Sequence, residues 1–206
     1  MKKIMDLSYE VFEGMSVYPG DCEVRLSLGA NYVEDGYTSY ILNSCMHVGT
    51  HIDVPMHITE DGRYVSDFEV ERFVGSAVVL DVRNESVINY RKEFEESIEG
   101  VEIILLYTGY NKYYGEEKYY DEHPVLSHEL VDCFIRNNIK LVGMDMPSPD
   151  KFPYDIHKKL LSNDICILEN LCNLEKLLNK NQIEIFALPL KMRSEASLVR
   201  AIALYV

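Results

Sequence analysis

Residues 47–57 read His47-Val48-Gly49-Thr50-His51-Ile52-Asp53-Val54-Pro55-Met56-His57 and hold three of the chain's six histidines. His47, Gly49, His51, Asp53, Pro55 and His57 all occupy odd positions, so an extended chain would turn their side chains to one side. In a helix Asp53 would lie about 240° round from His47, and Pro55 is out of place in a helix interior. A straight strand would set His47 and Asp53 roughly 20 Å apart. For these groups to serve one site the stretch has to bend, and Gly49 is the residue best able to let it.

Two imidazoles and a carboxylate that converge form a ligand set suited to zinc or manganese, with positions left open for water. The stretch is not the helical HExxH zinc motif, because position 48 is Val and no glutamate base is present. His57 lies beyond Asp53 and past the rigid Pro55, up to about 13 Å further along an extended chain. It reads as a proton-transfer residue beside the site rather than a third imidazole ligand. His157 and Glu169 flank residues 158–168. Glu169 follows an apolar run, where an unpaired carboxylate is costly; a second metal would relieve that cost, and favouring the start of a following helix is the alternative. Tyr18, before the Pro19-Gly20 turn, either packs or walls a pocket. His123 and His128 sit among polar residues and read as surface.

Length and charge narrow the setting. With 206 residues and no linker-like stretch, residues 1–206 are expected to form a single domain. The formal charge of −14 repels phosphate backbones and anionic lipid heads, so neither nucleic acid nor membrane is expected as a partner. A small molecule is. The N-terminus reaches Asp6 before any apolar run, which points to the cytoplasm. Five cysteines with no CxxC spacing read as reduced, small apolar side chains.

Periodicity predicts strands over 4–11, 24–28, 37–43, 73–82, 101–107, 140–144, 183–188 and 201–206, with 165–168 a further short apolar run. It predicts helices over 127–138 and 155–161, the second capped by Asp155, and a closing helix marked by Leu171, Leu174, Leu177 and Leu178. The tyrosine-heavy segment containing Tyr113, Tyr114, Tyr119 and Tyr120 reads as too polar for the core, and Pro147 and Pro149 make 145–150 a rigid loop carrying two carboxylates. Strands predominating over few helices give an α/β or α+β architecture.

These residues carry a resemblance. Residues 47–57 resemble the HxGTHxDxPxH signature of the cyclase-like metal-dependent hydrolases, the family containing bacterial kynurenine formamidase. Gly14-Met15-Ser16-Val17-Tyr18-Pro19-Gly20-Asp21 is similar to that family's GMxVxPGD segment, Tyr107-Thr108-Gly109-Tyr110 to its TGW or TGY turn, and Gly143 to Asp150 to its GxDxxSxD loop. Ile167-Leu168-Glu169-Asn170-Leu171 and Ala187-Leu188-Pro189-Leu190-Lys191 complete the set. The resemblance implies that His47, His51 and Asp53 bind one divalent ion, with Asp53 bridging to a second held also by His157 and Glu169. It implies His57 as catalytic acid/base and Tyr18 as a substrate-pocket residue. It also implies a β-rich α/β fold of the swivelling β/β/α-barrel kind and a homodimer. The activity implied is hydrolysis of an amide-type C–N bond in an aromatic substrate, foremost N-formylkynurenine, with two Zn²⁺ or Mn²⁺ ions. Kynurenine-pathway formamidases often place tryptophan in the pocket; this chain has none and offers tyrosines. The alternatives are an isatin-like lactam substrate or a non-catalytic metal-binding module, although structural zinc sites are usually closed by four Cys and His ligands.

Overall fold

The computed structural model describes residues 1–206. β1 (Lys3–Asp6) leads to a hairpin of β2 (Arg25–Ala30) and β3 (Ser39–Asn43), with α1 (Tyr32–Asp35) between them. Next come β4 (His51–Asp53), β5 (Val74–Asp81), β6 (Val87–Ile88), α2 (Lys92–Ile98), β7 (Ile103–Tyr107) and α3 (Glu117–Asp121). β8 (Val125–Leu126), α4 (His128–Arg136), β9 (Leu141–Met144), α5 (Asp155–Leu161) and β10 (Cys166–Glu169) follow. β11 (Ile183–Phe186), β12 (Ala196–Leu198) and β13 (Ile202–Tyr205) complete the order. Nine strands form one curled sheet, β1-β13-β11-β5-β7-β9-β10-β4-β12, and the architecture is a β-rich mixed α/β fold.

The middle strands β5, β7, β9 and β10 run parallel. Both faces of these strands are covered, which is why their sequences are nearly unbroken apolar runs. Along β7, Ile104 and Leu106 pack with Phe94 of α2, Phe134 of α4 and Leu160 of α5. Ile103 and Leu105 turn the other way, onto Leu7, Leu171, Leu174 and Ile185. At roughly 1.5–3 kcal/mol for each large side chain fully buried, these two clusters supply the main stabilisation. No helix is long and apolar enough to cross a membrane.

Several expectations need correcting. The first strand ends at Asp6, because Ser8 instead exchanges hydrogen bonds with Ala201 through its hydroxyl. The strands expected over 24–28 and 37–43 form as β2 and β3, but they pair only with each other, apart from the main sheet, and leave Leu28, Tyr40, Ile41 and Leu42 exposed. The leucines at 171, 174 and 177 all enter one cluster, yet the backbone makes only a single 3-10 turn, Leu174–Leu177, entered through a left-handed Asn173. Asp155 does not cap α5. It is the first helical residue, and Asp150 Oδ2 accepts from the N–H groups of Ile156 (2.6 Å) and His157 (3.2 Å) instead.

Tyr119 and Tyr120 are buried in α3 rather than too polar for the core, because their hydroxyls find partners in Asn170 Oδ1 (2.7 Å) and Ser16 Oγ (2.8 Å). His123 is buried as well, its two ring nitrogens lying 2.8 Å from Tyr120 O and 3.1 Å from Asp150 O. His128 is exposed. All five cysteines are free thiols; Cys133 and Cys166 are buried, whereas Cys22 is exposed.

Candidate metal centre

The bend falls at Gly49, whose φ of 56° is left-handed. The three residues of β4 follow at once. Ile52 enters the apolar cluster shared with Leu168, so His51 and Asp53 project to the opposite face. β4 pairs antiparallel with β10, which sets Glu169 directly across from His51, and residues so paired share a face. The junction is locked by Thr50 Oγ1 donating to Asn170 O (2.6 Å) and Asn170 Nδ2 donating to Gly49 O (2.9 Å). His157 arrives from the first turn of α5.

His57 lies nearer than an extended chain would put it. Pro55–His57 form a 3-10 turn, with His57 N donating to Val54 O at 2.9 Å. Pro55 fixes the φ that starts this turn, and the chain doubles back until the His57 and His47 rings are 4.2 Å apart, centre to centre. The His57 and His157 rings are 6.0 Å apart.

The inner atoms of the cluster crowd one another. His47 Nδ1 is 2.9 Å from Asp53 Oδ1, and His51 Nε2 is 3.6 Å from the same oxygen and 3.3 Å from Glu169 Oε2. His157 Nε2 is 3.3 Å from Glu169 Oε1. Yet His51 Nε2, both Asp53 carboxylate oxygens and Glu169 Oε1 are buried without a hydrogen bond. Orphaned polar atoms of this kind are rare and costly unless something else satisfies them. Donor atoms close to one another but not aligned for hydrogen bonding are what a shared cation accounts for. Two groups of three have ligand atoms within 4.8 Å of one another: His47, Asp53 and His57, and His51, Asp53 and Glu169. Asp53 belongs to both. The residues therefore fit divalent ions, and their imidazole and carboxylate chemistry suits zinc or manganese.

Electrostatics follow from the same crowding. Burial alone would lower His47, but Asp53 and Glu195 overcome it and raise the group to about 11. Burial likewise opposes protonation of His157, and the neighbouring carboxylates of Asp150 and Glu169 raise it to about 10. Burial would raise Asp53, but His47 and His51 hold it far below the usual carboxylate range. His57 differs. Burial lowers its pKa, with His47 and His157 adding to the effect against the pull of Asp53, which favours the neutral imidazole.

The two raised histidines set a pH dependence for chelator-treated protein. Between the unfolded value near 6.5 and about 10, the folded chain binds more protons than the unfolded one, so stability falls as pH rises. The contribution is fully present below 6.5. The melting temperature of that sample is expected to drop between pH 7 and pH 10; a flat or rising profile over this range would contradict the pairing.

Beside the cluster lies a cavity of about 210 Å³, walled by Tyr18, Tyr114, Tyr120 and Tyr154, with the metal-side residues at its floor. Tyr18 and Tyr120 meet edge to face, their ring centres 5.7 Å apart. No lysine or arginine lines it, and Asp21 is its only carboxylate apart from Asp53 and Glu169.

A curled mixed sheet carrying a buried His/Asp/Glu donor set beside an aromatic cavity defines an enzyme of the metal-dependent hydrolase class. A family model described as "Putative cyclase" matches residues 5–151. The chain belongs to this cyclase family, together with the kynurenine formamidases it resembles. It is 32% identical over 206 residues to the kynurenine formamidase of Bacillus cereus, covering 96% of this chain and 95% of that protein. To the Bacillus cytotoxicus enzyme of the same name it is 30% identical over 205 residues, with the same coverage. In fold it is similar to isatin hydrolase A from Ralstonia solanacearum, with a TM-score of 0.84 at 21% identity over 98% of this chain and 92% of that one.

The side chains of His47, His51, Asp53, His57, His157 and Glu169 lie close together and Tyr18 lines the adjoining cavity, but the donor groups divide differently from the sets the resemblance implies: His57 joins His47 and Asp53, His51 joins Asp53 and Glu169, and His157 meets Glu169 at 3.3 Å outside both groups. Sequence reasoning gave no role to Asp150, Glu195 or Tyr154. Asp150 Oδ1 is 2.6 Å from His157 Nδ1, and Glu195 Oε1 is 3.4 Å from His47 Nε2. The one available signal was a carboxylate on a proline-fixed loop seven residues before a candidate ligand.

Proposed function

We propose that this protein is an arylformamidase that hydrolyses N-formylkynurenine to kynurenine and formate. The observation that carries the reading is the His57 imidazole set against orphaned, buried carboxylate oxygens of Asp53 and Glu169 in a tyrosine-walled cavity. The full-length similarity to kynurenine formamidases supports the substrate.

His47, His51 and Asp53 would hold one ion, and Asp53, His157 and Glu169 a second, both Zn²⁺ or, in its place, Mn²⁺. Divalent ions supply two things to such chemistry: a water acidified towards neutrality and a polarised carbonyl. His57 takes a proton on the attacking side and returns it to the departing aniline nitrogen, a role that suits a neutral imidazole. Tyr18, Tyr120 and Tyr154 give the aromatic ring a flat, edge-lined seat. Asp21 is positioned to attract the α-ammonium of an amino-acid substrate.

The test is turnover of N-formylkynurenine beside a panel of lactams that includes isatin, with metal-loaded protein. Preference for the formamide is expected. Faster lactam opening would replace this reading with the lactamase alternative, and no hydrolysis of either class would favour a non-catalytic metal module.

A further inference from the structure

His47, His51 and His157 each have one ring nitrogen facing the cluster's carboxylates and another facing away, and what the outer nitrogen meets differs from ring to ring. His51 Nδ1 meets the Gly49 carbonyl at 2.9 Å. His47 Nε2 lies 3.4 Å from Glu195, a partly exposed side chain. For His157 alone the partner is a buried carboxylate at 2.6 Å, Asp150 Oδ1.

Asp150 is itself held from several directions. Its N–H donates to Ser148 Oγ (3.3 Å), and its carbonyl oxygen accepts from the same hydroxyl at 2.6 Å. His123 Nε2 lies 3.1 Å from that carbonyl. Its second carboxylate oxygen accepts from the first N–H groups of α5. One side chain therefore fixes both where the helix begins and how the His157 ring is turned. The loop that carries it, Pro147 to Asp150, also borders the cavity through Pro147 and Ser148.

We infer that Asp150 is a positioning residue of the metal centre: it holds His157 with Nδ1–H engaged and Nε2 directed at Glu169, and so sets the affinity of the ion position that His157 and Glu169 would form. Carboxylates in this outer position orient a ligand imidazole and raise its basicity, and their loss typically costs about 10–100-fold in metal affinity. An asparagine can still offer one oxygen to the Ile156 N–H, but it cannot also accept from Nδ1 as a carboxylate does. The inference rests on the two-ion reading.

The experiment is titration of chelator-treated wild type and Asp150→Asn with Co²⁺, followed by d–d absorbance and by metal content after dialysis. Wild type should hold two ions per chain. The variant should keep one ion at wild-type affinity and lose the other by about 10–100-fold. Two ions held at unchanged affinity, with only thermal stability reduced, would mean that Asp150 merely starts the helix and would overturn the inference. Wild type that holds a single ion with His157 unliganded would overturn the two-ion reading and this inference with it.

A second measurement needs no variant. In zinc-loaded wild type, ¹⁵N shifts of His157 should show a proton on Nδ1 and metal on Nε2. The reverse assignment removes Asp150 from the centre.

Discussion

Asp53→Ala is expected to abolish metal binding and turnover together. Asp53 is the one residue shared by both donor groups, and both of its oxygens are buried without hydrogen bonds. Losing an outer carboxylate costs about 10–100-fold in affinity, so if Asp53 serves both ion positions as proposed, losing it should cost more than about 100-fold at each. Metal content after dialysis is the measurement. Full occupancy in this variant would remove Asp53 from the bridging role. The substitution also leaves His47 and His51 without their shared counter-charge, so part of the effect should appear as lower stability of the metal-free chain.

His57→Ala should do the opposite: keep its metal and lose turnover by about 10²–10⁴-fold, the usual range for removing a general acid/base. The structure sharpens this test because His57 also falls within ligand reach of His47 and Asp53. Metal content and rate must therefore be read together. Loss of rate with metal retained assigns proton transfer, whereas loss of one ion would make His57 a ligand. Unchanged rate would remove it from the chemistry altogether. Because its pKa is lowered, the wild-type base should remain active to a pH below the ordinary histidine range, and the acid limb of the kcat profile should lie there.

The stretch His47 to His57 was readable because a period of two, a glycine and a proline each have direct backbone meanings. They required a bend, and the bend is at Gly49. The parallel strands were readable for a similar reason: Ile103 to Leu106 has no polar face, and a strand covered on both sides needs none. Where the reading fell short, partners far along the chain decided the outcome. Tyr119 is buried because Asn170, 51 residues on, receives its hydroxyl, and His123 because the Asp150 carbonyl, 27 residues on, joins that of nearby Tyr120 beside its ring. Neither partner leaves a mark near the residue it satisfies. The reach of His57 was overestimated because Pro55 opens a tight turn instead of extending the chain. Asp150 was legible only as a carboxylate on a proline-fixed loop, since its task is defined by the helix that starts after it.

The in-register pairing of His51 with Glu169 joins two segments more than a hundred residues apart. An ion gripped from both sides of that pairing would act on the chain as a covalent staple does, closing a long loop that the unfolded polymer must otherwise leave open. Loading free energy and folding free energy then become one quantity. The yield of a site variant in a cell would accordingly report on its grip on metal before it reports on its chemistry.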